Sequence, residues 1–300
     1  MNFPDRLYAA IDAKATPAMV GLDPRLDRLP EPFRTEATKG PDAAADALIS
    51  YHRSLLDVLA PHVPIVKPQS AFFEQLGAPG FAALADAARY AKDLGMLVLM
   101  DAKRGDIGST SEAYASTFLG GGWQDAFPAC DALTINPYLG EDACEPFLAA
   151  ADRAGAGLFF LVKTSNPGAG CFQDHGTPPL ADIVAGKVAD WGHTRLGANG
   201  WSSMGAVVGA TRPEELAHFR ALMPQATLLL PGFGFQGGSA KGLEAAFDDR
   251  GHGAVVNASR SILFAFERED LQGLATWEER TEVAVLEMKE ALKPFMTSPA

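Results

Sequence analysis

Short apolar runs recur along the chain: AMVGLD (18–23), VPIVKP (63–68), LVLMDAK (97–103), ALTINPY (132–138), LFFLVKT (158–164), GAVVGA (205–210), TLLLPG (227–232) and GAVVNA (253–258). They do not alternate apolar with polar as half-exposed strands do. Near-continuous apolar character predicts strands buried on both faces, as in a parallel sheet. Helical spacing fills the intervals. Ala44, Leu48, Tyr51, Leu55 and Val58 repeat on one helix face, as do Phe81, Leu84, Ala88 and Ala91. Thr276 and Glu279 have the spacing of a capping box and open a last helix through VAVLEMKEAL. Eight strand–helix units predict an α/β fold, a (β/α)8 TIM barrel, as one domain over residues 1–300. A doubly wound open sheet is the alternative, and it normally has fewer strands. The longest irregular stretch, an extended loop region over about 164–204, follows the fifth strand and includes a predicted helix in PLADIVAGKVADWG. On a barrel, such insertions belong to the face that carries function.

The opening segment MNFPDRLYAAIDAK has charges at Asp5, Arg6, Asp12 and Lys14, which predicts a short amphipathic helix over about 3–14 and not a secretory signal. The 300 residues include 25 basic and 37 acidic side chains, a formal net charge of −12. That charge repels phosphate backbones, so general nucleic-acid binding is not expected, and an anionic ligand needs a local site that works against the global field. No apolar run reaches the roughly 20 residues needed to span a bilayer, so no membrane role is expected. The three cysteines, Cys130, Cys144 and Cys171, are scattered, without a C-x-x-C pair. This points to a reducing cytoplasm and away from a disulfide framework or zinc site.

The third run ends in a concentration of charge, MDAKRGDIGST (100–110). Buried charge is costly unless it is paired or used. Side chains at i and i+2 share one face of a strand, so Asp101 and Lys103 are expected to point together at its C-terminal end. Lys67 ends the second run, Asp23 ends the first, and Asp106 lies in the loop just beyond the third. The C-terminal rim of a barrel is where catalytic groups collect. One reading is a self-satisfying network of strand-end salt bridges; the other is a proton-handling array. A lysine between carboxylates keeps its proton and suits a general acid better than a Schiff-base nucleophile.

The segment DAKRGDIGST resembles the D-x-K-x-x-D-I-x-x-T signature of the orotidine 5′-phosphate decarboxylase family. LDP in the first run, VKP in the second, TSNPGAG after the fifth, PGFGFQGG after the seventh and NASRS after the eighth fall where that family has functional segments. The resemblance extends from about residue 18 to 266 and is closest to the longer-chain bacterial branch, on ALTINPYLGED and VVGAT. It implies decarboxylation of orotidine 5′-monophosphate to uridine 5′-monophosphate, with no metal and no cofactor. It implies a charged array of Lys67, Asp101, Lys103 and Asp106, in which Lys103 protonates C6 of the pyrimidine and Asp101 faces the departing carboxylate. Asp23 and Lys67 would also hold ribose hydroxyls. Asp106, with Ile107 and Thr110, would reach into the site of the partner in a homodimer. Ser165 would read the pyrimidine edge, Pro231 would line the base pocket, and Gln236 and Arg260 would contact the phosphate. Ser259 stands where a plainer pattern has glycine, and its amide is expected to donate to the ligand.

Gly232, Gly234 and Gly237 form a literal G-x-G-x-x-G. A dinucleotide fingerprint also needs an acidic residue about 20 positions later, where Asn257 stands. Barrel phosphate sites are built from the loops after strands seven and eight, which suits these glycines together with the planar fork of Arg260. Phe235 is expected to pack on the 164–204 region. The six histidines show no metal-ligand spacing, and His175 is expected at the surface. Trp123, Trp191 and Trp201 are expected to be packing groups under long loops. Two other functions remain open. One is a different phosphosugar lyase, either a Schiff-base aldolase using Lys163 or a metal-assisted sugar-acid phosphate decarboxylase. The other is a nucleotide-binding barrel without catalysis.

Overall fold

All eight apolar runs form strands, and each strand pairs in parallel with the next until the eighth meets the first. They are β1 (Ala18–Leu22), β2 (Ile65–Pro68), β3 (Leu97–Arg104), β4 (Ala132–Ile135), β5 (Gly157–Lys163), β6 (Ser202–Val208), β7 (Ala226–Pro231) and β8 (Ala254–Ala258). The closed barrel removes the open-sheet alternative. The computed structural model describes residues 1–123, 126–209, 213–232 and 242–296.

β6 starts at Ser202, three residues before the predicted run, because its first polar residues are satisfied inside the fold. Ser202 Oγ donates to the Gly192 carbonyl (3.2 Å) and its amide to Gln225 O (2.8 Å). The 164–204 region therefore ends where β6 begins, and the helix predicted in PLADIVAGKVADWG is present. A regular helix, Leu180–Gly192, crosses back to β6, and the excess length lies before it, around the one-turn helix Gly170–Gln173. β7 departs from the expected strand–helix alternation: among the described residues only the 3₁₀ turn Glu244–Ala246 separates it from β8. The helices Pro41–Leu59 and Ala78–Asp93 bury the faces that the periodicity marked, apart from Val58 and Phe81, which are half-buried. Helix Trp277–Leu292 has the Thr276/Glu279 capping box.

The N-terminal helix, Phe3–Lys14, closes the end of the barrel opposite the C-terminal strand ends. Phe3, Leu7, Tyr8 and Ile11 join one apolar cluster with the barrel-interior residues Met19, Ile65, Leu97, Phe159 and Val255. Arg6 pairs with the buried Asp131 at the start of β4, and Asp131 Oδ2 accepts from Val98 N at 2.9 Å. Phe3 lies so close to Gly157 that a Cβ there would come within 2.4 Å of its ring. With the floor sealed by side chains, the interior is open to ligands only at the opposite rim.

Trp201 belongs to this floor, 5.7 Å from Tyr8, and Trp191 packs on Phe160 at 4.7 Å. Trp123 is 89% exposed, so the packing role expected of it is wrong: it sits on a loop past the barrel wall.

Candidate active site

At the C-terminal rim lies a cavity of about 410 Å³. Asp23, Lys67, Asp101 and Lys103 line it together with Ser165, Pro231, Ser259 and Arg260. Eight of the twelve residues singled out in the sequence thus converge on one space, from β1, β2, β3, β5, β7 and β8. They meet because all eight parallel strands end on the same side, so residues far apart in sequence become rim neighbours.

Asp101 is at the centre. Oδ1 lies 2.6 Å from Lys103 Nζ and Oδ2 2.6 Å from Lys67 Nζ. Gln69 Nε2 donates to Oδ2 at 2.9 Å and Thr134 Oγ1 to Oδ1 at 2.9 Å. Burial alone would raise the Asp101 pKa, but the two ammonium groups and their hydrogen bonds outweigh it and hold the carboxyl well below the usual carboxylate range. Burial likewise disfavours the charge on Lys67, yet Asp101 and then Asp23, at 3.9 Å, keep its pKa above that of an ordinary lysine. The two cations differ in access. The Lys67 side chain is 6% exposed and lies beneath, whereas that of Lys103 is 42% exposed at the mouth. Lys103 is therefore the ammonium that a molecule in the cavity can meet directly.

Its backbone is unusual. Lys103 has φ 46°, in the left-handed region that residues with a side chain rarely occupy. It falls within a shift in the β3–β4 register, between Met100 and Arg104. Arg104 turns away from the cavity, pairs with Glu74 and lies over the Tyr114 ring at 5.3 Å. The charge cluster visible in the sequence therefore divides: Asp101 and Lys103 enter the site, and Arg104 fastens the outside of the barrel.

Asp106 is not among the residues lining this cavity. Its Oδ1 accepts from Ile107 N at 2.8 Å, and Ser111 Oγ donates to its backbone carbonyl. Ile107 is 59% exposed and Thr110 is exposed beside it. None of these three predicted residues lines the cavity of its own chain, and Asp106 is half-buried. Gln236 and Phe235 lie outside the described residues, as do Gly234 and Gly237, while Gly232 lines the cavity with φ 89°. His175 is exposed, as expected.

Lys163, the residue for a Schiff-base reading, is not among the lining residues. Its ammonium pairs with Asp174 and lies 3.6 Å from Glu215, tying β5 to the loop behind it and to helix Pro213–Leu222. Among the described residues no group of three or more His, Cys, Asp or Glu side chains is arranged to hold a metal ion, and no helix is long and apolar enough to cross a membrane.

Several site residues escaped the sequence reading. Gln69 and Thr134 hold the Asp101 carboxylate. Asn257 lines the cavity and donates from Nδ2 to Ser259 Oγ at 3.3 Å. Thr134 and Asn257 do leave a sequence signal: each is a polar residue interrupting an apolar strand near its C-terminal end. Ser259 Oγ reaches across to β1, where a Cβ on Gly21 would come within 2.1 Å of it. A side chain at residue 21 would displace Ser259 from the cavity. Asn257 Oδ1 and Asp23 Oδ1 are buried without hydrogen-bond partners among the described residues. Buried acceptors at the wall of a cavity are suited to a ligand that brings donors.

Residues 18–270 match the model of the family described as orotidine 5′-phosphate decarboxylase / HUMPS. The orotidine 5′-phosphate decarboxylase of Rhodopirellula baltica is 46% identical over 98% of this chain and 99% of its own length. That of Deinococcus radiodurans is 45% identical over 84% of this chain and 86% of its own. The structure of Leishmania donovani OMP decarboxylase superposes with a TM-score of 0.74 at 31% identity, covering 98% of each chain. On this match and these relatives, the chain belongs to the orotidine 5′-phosphate decarboxylase / HUMPS family.

Proposed function

We propose that this barrel decarboxylates orotidine 5′-monophosphate to uridine 5′-monophosphate and CO2, a step of de novo pyrimidine synthesis. The observation that carries the reading is the ammonium of Lys103, set by Asp101 at 2.6 Å and exposed at the cavity mouth. In the reaction the C6–carboxylate bond breaks and its electron pair remains on C6. Lys103 transfers a proton to that carbon, CO2 leaves, and Lys103 regains a proton from water. A fixed ammonium aimed at a developing carbanion stabilises the transition state electrostatically. Asp101 faces the departing carboxylate and keeps Lys103 in position. No cofactor and no metal take part in this scheme.

The remaining assignments follow the shape of the ligand. Asp23 and Lys67 hold ribose hydroxyls, and the buried Oδ1 of Asp23, which makes no hydrogen bond among the described residues and lies 3.9 Å from the Lys67 ammonium, supports this. Ser165 reads the pyrimidine edge from the β5 loop and Pro231 lines the base pocket. Arg260, the Ser259 amide and Gln236 take the phosphate. Phosphate and ribose lie away from the bond that breaks, so their binding energy can be used to hold the reacting end in place.

The working unit in this proposal is a cytoplasmic homodimer. Asp106, Ile107 and Thr110 complete the partner subunit's site, a reading supported by their absence from the lining of their own chain's cavity and by the exposed apolar Ile107. The free thiols of Cys130, Cys144 and Cys171 suit a reducing compartment. The pairing of Lys163 with Asp174 and Glu215, outside the cavity, weighs against a Schiff-base aldolase.

The test is a spectrophotometric assay of orotidine monophosphate consumption by the purified protein, with and without a chelator. Consumption unaffected by the chelator is expected. Loss of activity on chelation would favour a metal-assisted lyase. Binding of uridine monophosphate without turnover would favour the non-catalytic nucleotide binder.

A further inference from the structure

The charged array is visible in the sequence, but its orientation depends on a neutral side chain from another strand. Thr134 Oγ1, on β4, makes two bonds at once. It accepts from the backbone N–H of Lys103 at 3.0 Å and donates to Asp101 Oδ1 at 2.9 Å. Its one hydroxyl proton goes to the carboxylate, since the alternative acceptor, Met100 O, is 3.5 Å away. Thr134 is 1% exposed, so neither bond is readily exchanged with water.

Both ends of this bridge need it. At Lys103 the β3–β4 ladder slips between Met100 and Arg104, and the backbone turns to φ 46°. In a regular parallel ladder the Lys103 N–H would be taken by a carbonyl of the neighbouring strand. Here the bulge removes that partner and the Thr134 hydroxyl replaces it. A residue with a side chain stays in the left-handed region only when its surroundings hold it there. The carboxylate end faces a different demand: Asp101 has a lysine on each oxygen, and a pull from either would swing it. Thr134 on Oδ1 and Gln69 on Oδ2 fix its plane from opposite sides.

We propose that Thr134 is a positioning residue for the decarboxylation. It locks the β3 bulge so that the Lys103 ammonium is returned to Asp101 and aimed at the reacting carbon. It does not touch the proton in flight; it sets where the donor stands. This inference rests on the reaction proposed above.

The experiment compares Thr134→Val, Thr134→Ser and the parent enzyme in kcat, KM and affinity for uridine monophosphate. Valine has nearly the shape of threonine and favours strands, and it removes only the hydroxyl. Thr134→Val should lower kcat by tenfold or more, while its affinity for uridine monophosphate stays within threefold. Thr134→Ser, which keeps the hydroxyl, should recover at least half of the parent kcat. A purely structural role would move kcat and product affinity together and would show in the thermal midpoint. A Thr134→Val enzyme within threefold of the parent kcat overturns the proposal, as does an equal loss in the serine variant. If Thr134→Val does not fold, Thr134→Ala is read by the same kcat-to-affinity split. A parent enzyme inactive on orotidine monophosphate overturns the proposed reaction itself, which separates that failure from failure of the Thr134 assignment.

Discussion

Lys103 has a left-handed backbone, with φ 46°, yet its ammonium returns to 2.6 Å from Asp101 Oδ1 on the same strand. Strain maintained at one residue in order to pair it with its neighbour is what a fixed proton donor needs. Lys103→Ala should lower kcat by several orders of magnitude while uridine monophosphate still binds, because in the proposed arrangement the phosphate and ribose contacts come from other strands. Isothermal calorimetry and the decarboxylation assay measure the two halves of this statement. Turnover left unchanged would rule out Lys103 as the donor.

Asp106 lies outside the cavity of its own chain. If it completes a partner's site, Lys103→Ala and Asp106→Ala chains should complement each other. Each mixed dimer would hold one site with both residues intact and one with both replaced. Random exchange makes half the dimers mixed, so about a quarter of parental activity should return. Mixed dimers verified by mass spectrometry that remain inactive would count against a shared site.

Lys163 ties β5 to Asp174 and Glu215 and does not line the cavity. Lys163→Met should therefore keep kcat within a few-fold. Loosening of the loop that carries Ser165 should raise KM severalfold. Borohydride added with a sugar phosphate should leave the parent enzyme's mass unchanged. A covalent adduct at Lys163, or complete loss of kcat in the variant, would reopen the aldolase reading.

His52 is fully buried in helix Pro41–Leu59, bonded through Nδ1 to Leu48 O at 2.7 Å. Burial pushes its pKa down to about 4. The sign follows from linkage. Above pH 6.5 the imidazole is neutral in both folded and unfolded chains and makes no difference. As pH falls from 6.5 towards 4, only the unfolded chain takes the proton, so the folded state loses stability. The loss approaches about 3 kcal/mol at the lower end, from the two and a half pKa units between the states. Denaturant titrations at pH 7 and pH 5 should show a smaller drop for His52→Leu than for the parent. Equal drops would mean that His52 titrates alike in both states.

The barrel was legible because burial on both faces leaves a simple mark, a short apolar run, and eight such marks admit few arrangements. The early start of β6 has a physical cause. Ser202 and Ser203 read as loop, but they are buried at the start of β6, where Ser202 finds backbone partners that no local pattern reveals. Trp123 was misread for the converse reason: its size argues for burial, but its loop lies past the wall. Within the site, charged residues at strand ends were conspicuous because buried charge is costly and therefore rare. Gln69, just past β2, and Thr134 and Asn257, within β4 and β8, were less so, since a neutral polar residue in or beside a strand is common and means something only beside its partner.

By itself the sequence determined the strands, their order, and which charged residues stand at the ends of β1, β2 and β3. These follow from side-chain chemistry and a two-residue period, which act locally. Closure of β8 against β1, the turning of Arg104 outward while Lys103 turns in, and the bridge from Thr134 to both Asp101 and Lys103 were decided only in three dimensions. Each depends on atoms brought together from positions roughly 30 to 240 residues apart, and only the folded backbone fixes those distances.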